Sequence, residues 1–436
     1  MREVDVLILG GGLSGLSTAY HLAQTSRQSC LLVEKEARVG GTAGSRQRGG
    51  FVFDHGAHLL HLHHPYGKKL VRSLLRGNLV KVQRSAWIYL QDCYARYPFQ
   101  ANTHGLPRSV VVDCLAGTWR AAQRSHPGGD SSFADWSRAL FGEGVCRHFM
   151  FPYNRKLWGV APERLTSHWT GRFVPRPALD EVLCGALLDQ KKGFGYNSFF
   201  YYPKKGGSQA LADALAARLA AGCIRVHAPV ISVDLDSRVA QIKGLGAVRY
   251  GKLVNTLPLP EFIDLSGPWP AQVRAARRRL RHASVWCLNL GVGRPDASGK
   301  HWIYFPEKKY PFCRAGIYSN FSATSAPAGA SAFYIEVSRP GHARVDLKAL
   351  EKQVLSGLRR CGLLQPKDHL LVKDWVRIPY GYVIDDFERE PALKVLFGHL
   401  GRRGIESIGR YGGWKYSFME EALLDGKSCA ERLVGR

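Results

Sequence analysis

Three spacings of apolar and polar positions recur along the chain, and each predicts a different element. Val4-Asp5-Val6-Leu7-Ile8-Leu9 and Cys30-Leu31-Leu32-Val33 are nearly unbroken apolar runs, as expected of strands buried on both faces of a parallel sheet. Apolar residues at helical spacing over 16–24, 106–124, 131–141 and 208–220 predict amphipathic helices. Residues 223–258 alternate as a short β-meander ending in a strand over 252–256. The segments 284–291, 302–305 and 332–337, rich in β-branched and aromatic residues, predict an antiparallel sheet. The small-residue stretch 322–331 reads as a solvent loop. At 436 residues the chain exceeds one simple core and should divide into two or three domains.

The first strand runs straight into Gly10-Gly11-Gly12-Leu13-Ser14-Gly15, a G-x-G-x-x-G pattern that opens the first helix. Such glycines allow a tight turn, close approach of backbone to a pyrophosphate, and packing of helix on strand. The helix N-terminus then faces the anion. Glu34 ends the second strand 19 positions after Gly15, where a carboxylate accepts from adenosine ribose hydroxyls. Lys35, Arg38, Gly41 and Thr42 follow, and an arginine before a double glycine at this point resembles FAD, rather than NAD, enzymes of the amine-oxidase type. Near the C-terminus, Ile408-Gly409-Arg410-Tyr411-Gly412-Gly413 leads into a helix over 417–424, a second glycine-to-helix junction.

The fold class expected is α/β: a discontinuous Rossmann-like FAD-binding domain with a helical domain and an antiparallel β-sheet substrate domain. Residues 1–85, 201–262 and 396–436 make the FAD part, 86–200 the mainly helical part and 263–395 the sheet part.

Composition adds limits. Hydrophobic residues are 45% and charged residues 22%, as in a soluble enzyme. Ten cysteines without a CxxC pair predict reduced thiols and a cytoplasmic setting. Met1-Arg2-Glu3-Val4-Asp5 is not a signal leader, and no run approaches the roughly 20 apolar residues of a membrane span. The net charge of +26 points to an anionic partner, whether nucleic acid, an anionic membrane surface or a phosphorylated small molecule. Genome base bias is a further source of arginine. The one dense cluster, Arg274 to His282, reads as a solvated helix face. His55, His58, His61, His63 and His64 resemble a metal cluster, but their alternation and the lack of partnered carboxylates predict no metal.

Aromatic residues with interleaved amides and arginines recur in "YPFQAN", "YNRKLWG", "WIYFPEKKYPFCRAGIYSNFS" and "GRYGGWKYSFM". Aromatic faces stack on a base, amides read its edge, and arginine forks bind diphosphate. With "GFVFDHGAHLLH", "GRFVPR" and "GYVIDDFERE", the set resembles, in order, segments of UDP-galactopyranose mutases, flavoenzymes that interconvert ring forms of UDP-galactose.

The resemblance implies that Arg172 and Arg314 clamp the substrate diphosphate, with Tyr304, Tyr382 and Tyr416 donating hydroxyls to it. It implies Tyr97, Phe99 and Gln100 at the base, Asn154 and Trp158 near base and ribose, and Asn197 at the sugar. His58 and Arg410 would hold the flavin and the reacting end of the sugar, with Gly56, Ala57, Ser417, Phe418 and Met419 also lining the flavin. The implied chemistry is attack by N5 of reduced flavin on the anomeric carbon, UDP leaving and returning after the ring recloses. NAD(P)H is the implied reductant, and no side-chain nucleophile is required.

Three departures lie near sugar or flavin: "GAH" in place of glycine-glycine-histidine, Tyr89 where fungal members carry an arginine, and Tyr416 followed directly by Ser417-Phe418-Met419. Nucleotide-sugar binding is therefore better supported than galactose. The alternative is an FAD-dependent oxidase or desaturase of the amine-oxidase type, which would need an apolar tunnel. A non-enzymatic relative of Rab GDP-dissociation inhibitors conflicts with the intact glycine fingerprint, and nucleic-acid binding rests on charge alone.

Overall fold

The computed structural model describes residues 1–124, 131–171 and 173–435. Its first sheet orders the strands Val230–Asp234, Val239–Ile242, Gly246–Asn255, Arg2–Leu9, Cys30–Val33 and Ile224–Arg225, and Ile405–Ser407 pairs with Gly246–Asn255. Arg2–Leu9 runs parallel to both Cys30–Val33 and Gly246–Asn255, so the chain start lies mid-sheet. The apolar run here is explained by two cores. Val6 and Ile8 pack with Leu16, Leu211 and Leu423 on one face, while Leu7 and Leu9 pack with Phe262, Leu396 and Trp414 on the other. All four strand residues are fully buried.

The helix Leu13–Thr25 packs against the last helix, Met419–Leu433. Contact is close because Gly426 has no side chain: a Cβ there would sit 2.5 Å from the Cβ of Ser17. Ser17 Oγ donates to the Leu423 carbonyl at 2.6 Å across the same junction. The two ends of the chain and residues 199–255 therefore build one cofactor-binding body.

The second sheet orders Leu370–Val383, His282–Val292, Ser331–Pro340, Arg314–Ile317, Trp302–Tyr304, Ala86–Leu90 and Cys93–Arg96. Its pairs are antiparallel except Trp302–Tyr304 on Ala86–Leu90, which is parallel. The strands at 86–96 thus belong to the sheet although they fall in the segment expected to be mainly helical. The helices Arg108–Ala122, Phe133–Val145 and Phe151–Trp158 share a core with Ile88 and Phe99, and Leu179–Leu187 packs against Arg108–Ala122. The arginine-rich segment forms the helix Ala271–Arg279, with Val273 and Ala276 turned inward. Among the described residues there is no metal-holding cluster and no helix long and apolar enough to cross a membrane.

Candidate flavin and substrate site

The glycine loop is built to leave room for a cofactor. A Cβ on Gly12 would meet nothing within 4 Å, whereas one on Gly15 would lie 2.2 Å from the Gly10 carbonyl oxygen. Gly15 closes helix on strand, and Gly12 faces open space. No side chain caps the helix that begins after Gly12, so the N–H groups of Leu13, Ser14 and Gly15 are left for an anion. Glu34 is buried and braces the loop: one carboxylate oxygen accepts from Gly11 N at 2.8 Å, the other from Glu36 N at 2.9 Å. Gly409 crosses above Ser14, where a Cβ would approach Ser14 Oγ to 2.4 Å. These residues fit FAD. Lys35 and Arg38 are exposed, and Arg38 pairs with Asp213 at 2.9 Å; Gly41 and Thr42 begin a short 3₁₀ turn beside the loop.

Asp54 fixes the turn that follows. Fully buried, it accepts from Ser45 Oγ at 2.6 Å, Tyr202 OH at 2.8 Å and Ser208 N at 3.0 Å. Burial pushes its carboxyl up to about 6 against those three donors. A lone acid closing the apolar strand Phe51–Asp54 was the sequence signal for it.

Gly56, Ala57 and His58 follow at once. His58 Nδ1 donates to the Gly56 carbonyl at 3.2 Å, which leaves Nε2 as an acceptor. Burial, with Arg410 and Arg314 nearby, holds the imidazole down to about 4, so it is neutral at pH 7. Ala57 N donates to Glu336 Oε1 at 3.3 Å.

Glu336 is directly opposite Arg314 in the antiparallel pair Arg314–Ile317 with Ser331–Pro340. Arg314 Nη2 and Nε donate to Glu336 Oε2 at 2.6 and 3.0 Å, and Nη2 also donates to Tyr382 OH at 3.3 Å. The expected diphosphate clamp therefore carries a buried carboxylate, a partner the sequence reading missed. Arg410 donates to the Ser417 and Gly381 carbonyls at 2.7 and 3.1 Å, and lies 5.8 and 5.0 Å over the rings of Tyr382 and Tyr416. Burial raises the phenols of Tyr382, Tyr416 and Tyr97 above their ordinary range despite neighbouring arginines, so all three are O–H donors at neutral pH.

The expected substrate residues divide into two groups. Tyr97, Tyr304, Tyr382, Tyr416, Arg314, Arg410 and His58 are half-buried. Tyr97 and Tyr304 lie 5.2 Å apart, and Trp158 links Tyr382 and Tyr416 through ring contacts of 5.5 and 5.8 Å. Phe99, Gln100, Asn154 and Trp158 are buried. Phe99 stacks on Phe149 at 5.1 Å, and Gln100 Nε2 donates to the Pro175 carbonyl at 2.7 Å. Asn154 has a partner at each end of its amide, donating to the Met150 carbonyl at 2.8 Å and accepting from Trp158 Nε1 at 3.0 Å. Those side chains are tied to neighbouring protein groups.

Asn197 accepts from Arg84, whose guanidinium also sits 4.7 Å over Tyr97. Arg84 also donates to the Phe194 carbonyl at 3.1 Å. Tyr89 is buried among Tyr94, Phe305 and Tyr310. Ser417 and Met419 are buried at the start of the last helix, and Phe418 joins His61, Phe173 and Tyr196 in an aromatic wall. Arg172 lies outside the described residues.

The fold and loop define a flavoenzyme, and the chain belongs to the flavin containing amine oxidoreductase family, which matches residues 13–434. FAD is its cofactor. The chain is 42% identical to 4,4'-diapolycopene oxygenase of Methylomonas sp, over 85% of this chain and 84% of that protein. It is 25% identical to chloroplastic protoporphyrinogen oxidase 1 of Arabidopsis thaliana, over 37% of this chain and 32% of that protein. A crystal structure of reduced UDP-galactopyranose mutase superposes with a TM-score of 0.94 at 26% identity, covering 99% of this chain and 96% of that one. Putrescine oxidase bound to putrescine shares the fold alone, with a TM-score of 0.64 at 17% identity over 100% and 99% of the two chains.

Proposed function

We propose that the protein interconverts the pyranose and furanose forms of a nucleotide sugar, with UDP-galactose the first pair to test. The observation that carries this reading is the polar lining of the cleft, where Arg314, Arg410, Tyr382 and Tyr416 meet within hydrogen-bond or ring-stacking distance. Guanidinium forks and phenol donors suit a diphosphate. The likeness to the reduced mutase supports the same reading.

Flavin, reduced by NAD(P)H, supplies the electron-rich centre of the reaction when bound. The chain's own residues bind and orient. Arg314 and the tyrosine hydroxyls hold the diphosphate as it leaves and returns, lowering the cost of its charge. Arg410, fixed by two carbonyls, and neutral His58, with Nε2 free to accept, position the sugar end. Arg84 and Asn197 border the same space.

A second reading, oxidation of an apolar substrate by oxidised flavin, is favoured by the identity to the Methylomonas oxygenase and by the aromatic wall of Phe173, Tyr196 and Phe418. Anaerobic incubation of dithionite-reduced protein with UDP-galactofuranose, followed by chromatography, separates the two. Conversion to the pyranose only with reductant is the expected result. No conversion, together with bleaching of the oxidised flavin by an apolar polyene under anaerobic conditions and recovery of its colour on admitting oxygen, would overturn the mutase reading.

A further inference from the structure

Neither the cofactor loop nor the cleft accounts for two features: the +26 charge and a concentration of exposed apolar side chains in the helical part. On Leu179–Leu187 the inward residues are Val182, Gly185 and Ala186. Its outward stripe holds Leu183, Cys184 and Leu187, continued by Leu188, with the three leucines 44%, 73% and 64% exposed. The adjoining helix Arg108–Ala122 buries Val110, Cys114, Gly117 and Ala121, yet Val112 and Trp119 stay 64% and 56% exposed. Single exposed apolar residues need no explanation, but five on two packed helices and the residue that caps one of them are a concentration of the kind that marks an interaction surface.

The border of the patch is cationic. Arg108, Arg120, Arg124 and Lys191 are all exposed, and none has an ion pair among the described residues. The acids nearby are mostly engaged: Asp113 by Arg147 and His148, Asp189 by Arg96, Glu181 by Lys192, leaving Asp180. Apolar side chains ringed by unpaired cations match the layered chemistry of an anionic bilayer surface, acyl carbons beneath negative headgroups. A second copy of this chain would bring the same unpaired cations face to face.

We propose that this face docks the protein on anionic lipid membranes, the leucines and Trp119 entering the headgroup region and the arginines and lysine engaging lipid phosphates. The docking is peripheral, since no described helix can span a bilayer. It is independent of the substrate assignment.

The test is co-sedimentation of the flavin-loaded protein with vesicles of phosphatidylcholine alone and of phosphatidylcholine with phosphatidylglycerol. Binding to the anionic vesicles, weakened by salt, is expected. Leu187→Ser with Trp119→Ser should lower it about tenfold, and Arg108→Glu with Arg120→Glu about as much again. All four positions are exposed, so flavin content and melting should not change. Equal binding by the Leu187→Ser/Trp119→Ser variant would overturn the proposal in favour of plain charge attraction. No vesicle binding would overturn it too, and sedimentation velocity showing that the same variant dissociates a dimer would assign the face to a second copy.

Discussion

Replacing Glu336 with glutamine should weaken the fold and strengthen anion binding at once. The carboxylate is 3% exposed and takes two N–H bonds from Arg314, whose side chain keeps 20% exposure. Charges about 4 Å apart attract by about 4 kcal/mol at the effective dielectric of a protein site, and removing one partner of a buried pair costs about 3–5 kcal/mol. Glutamine keeps the shape but has one acceptor oxygen, so it serves either Ala57 N or Arg314 and loses hydrogen bonds to the other along with the charge. Urea unfolding of the flavin-loaded protein, followed by tryptophan emission, should show a loss of that size. A diphosphate then becomes the missing counter-charge, so UDP measured by titration calorimetry should bind at least about tenfold tighter, about 1.4 kcal/mol of the freed attraction. Unchanged stability together with weaker UDP binding would refute the view that Glu336 partly neutralises an anion-binding arginine.

Two glycines should separate cofactor loss from misfolding: Gly12→Ala is expected to fold normally but to purify without visible flavin absorbance, whereas Gly15→Ala, forced 2.2 Å from the Gly10 carbonyl, should lose folded yield. Acid should destabilise the protein below pH 6.5. His58, His61, His282 and His301 are each held down to about 4, chiefly by burial, so the unfolded chain takes up their protons first; Asp54, raised to about 6, acts in the opposite sense. The net is about three protons near pH 5, about 4 kcal/mol lost per pH unit at most, and a flat unfolding midpoint between pH 7 and 5 would contradict it. Arg84→Met should keep flavin bound but raise KM for the nucleotide sugar about tenfold, in line with one charge-assisted hydrogen bond; an unchanged KM would place Arg84 outside the site.

The cofactor half was legible because its signals are local. Gly10 to Gly15, the apolar strands around them and Glu34 fall within one strand–helix–strand unit, and the spacing alone aligns them. What stayed hidden depended on pairing between distant segments. The strand at 86–90 is defined by its parallel register with Trp302–Tyr304, more than two hundred residues away, which no periodicity within 86–200 reveals. Glu336 became a partner of Arg314 only through cross-strand register, although a single acid in the apolar run Ser331–Val337 was a visible oddity. Asn154 and Trp158 show the converse: their types suggested a ligand, but helical spacing of four lets each satisfy the other.

The packing of the last helix on the first dictates when the cofactor can be held during synthesis. The glycine loop emerges from the ribosome well before its roof at Gly409 and the supporting helix from Met419. Nascent chains therefore carry an incomplete pocket until residues beyond 419 have emerged, and a ribosome that stalls before residue 419 releases a product unable to retain flavin. Linking the helix Met419–Leu433 directly to the strand Arg2–Leu9 and opening the chain at an exposed turn elsewhere would let both helices be made together, and such a permutant should capture flavin earlier in translation.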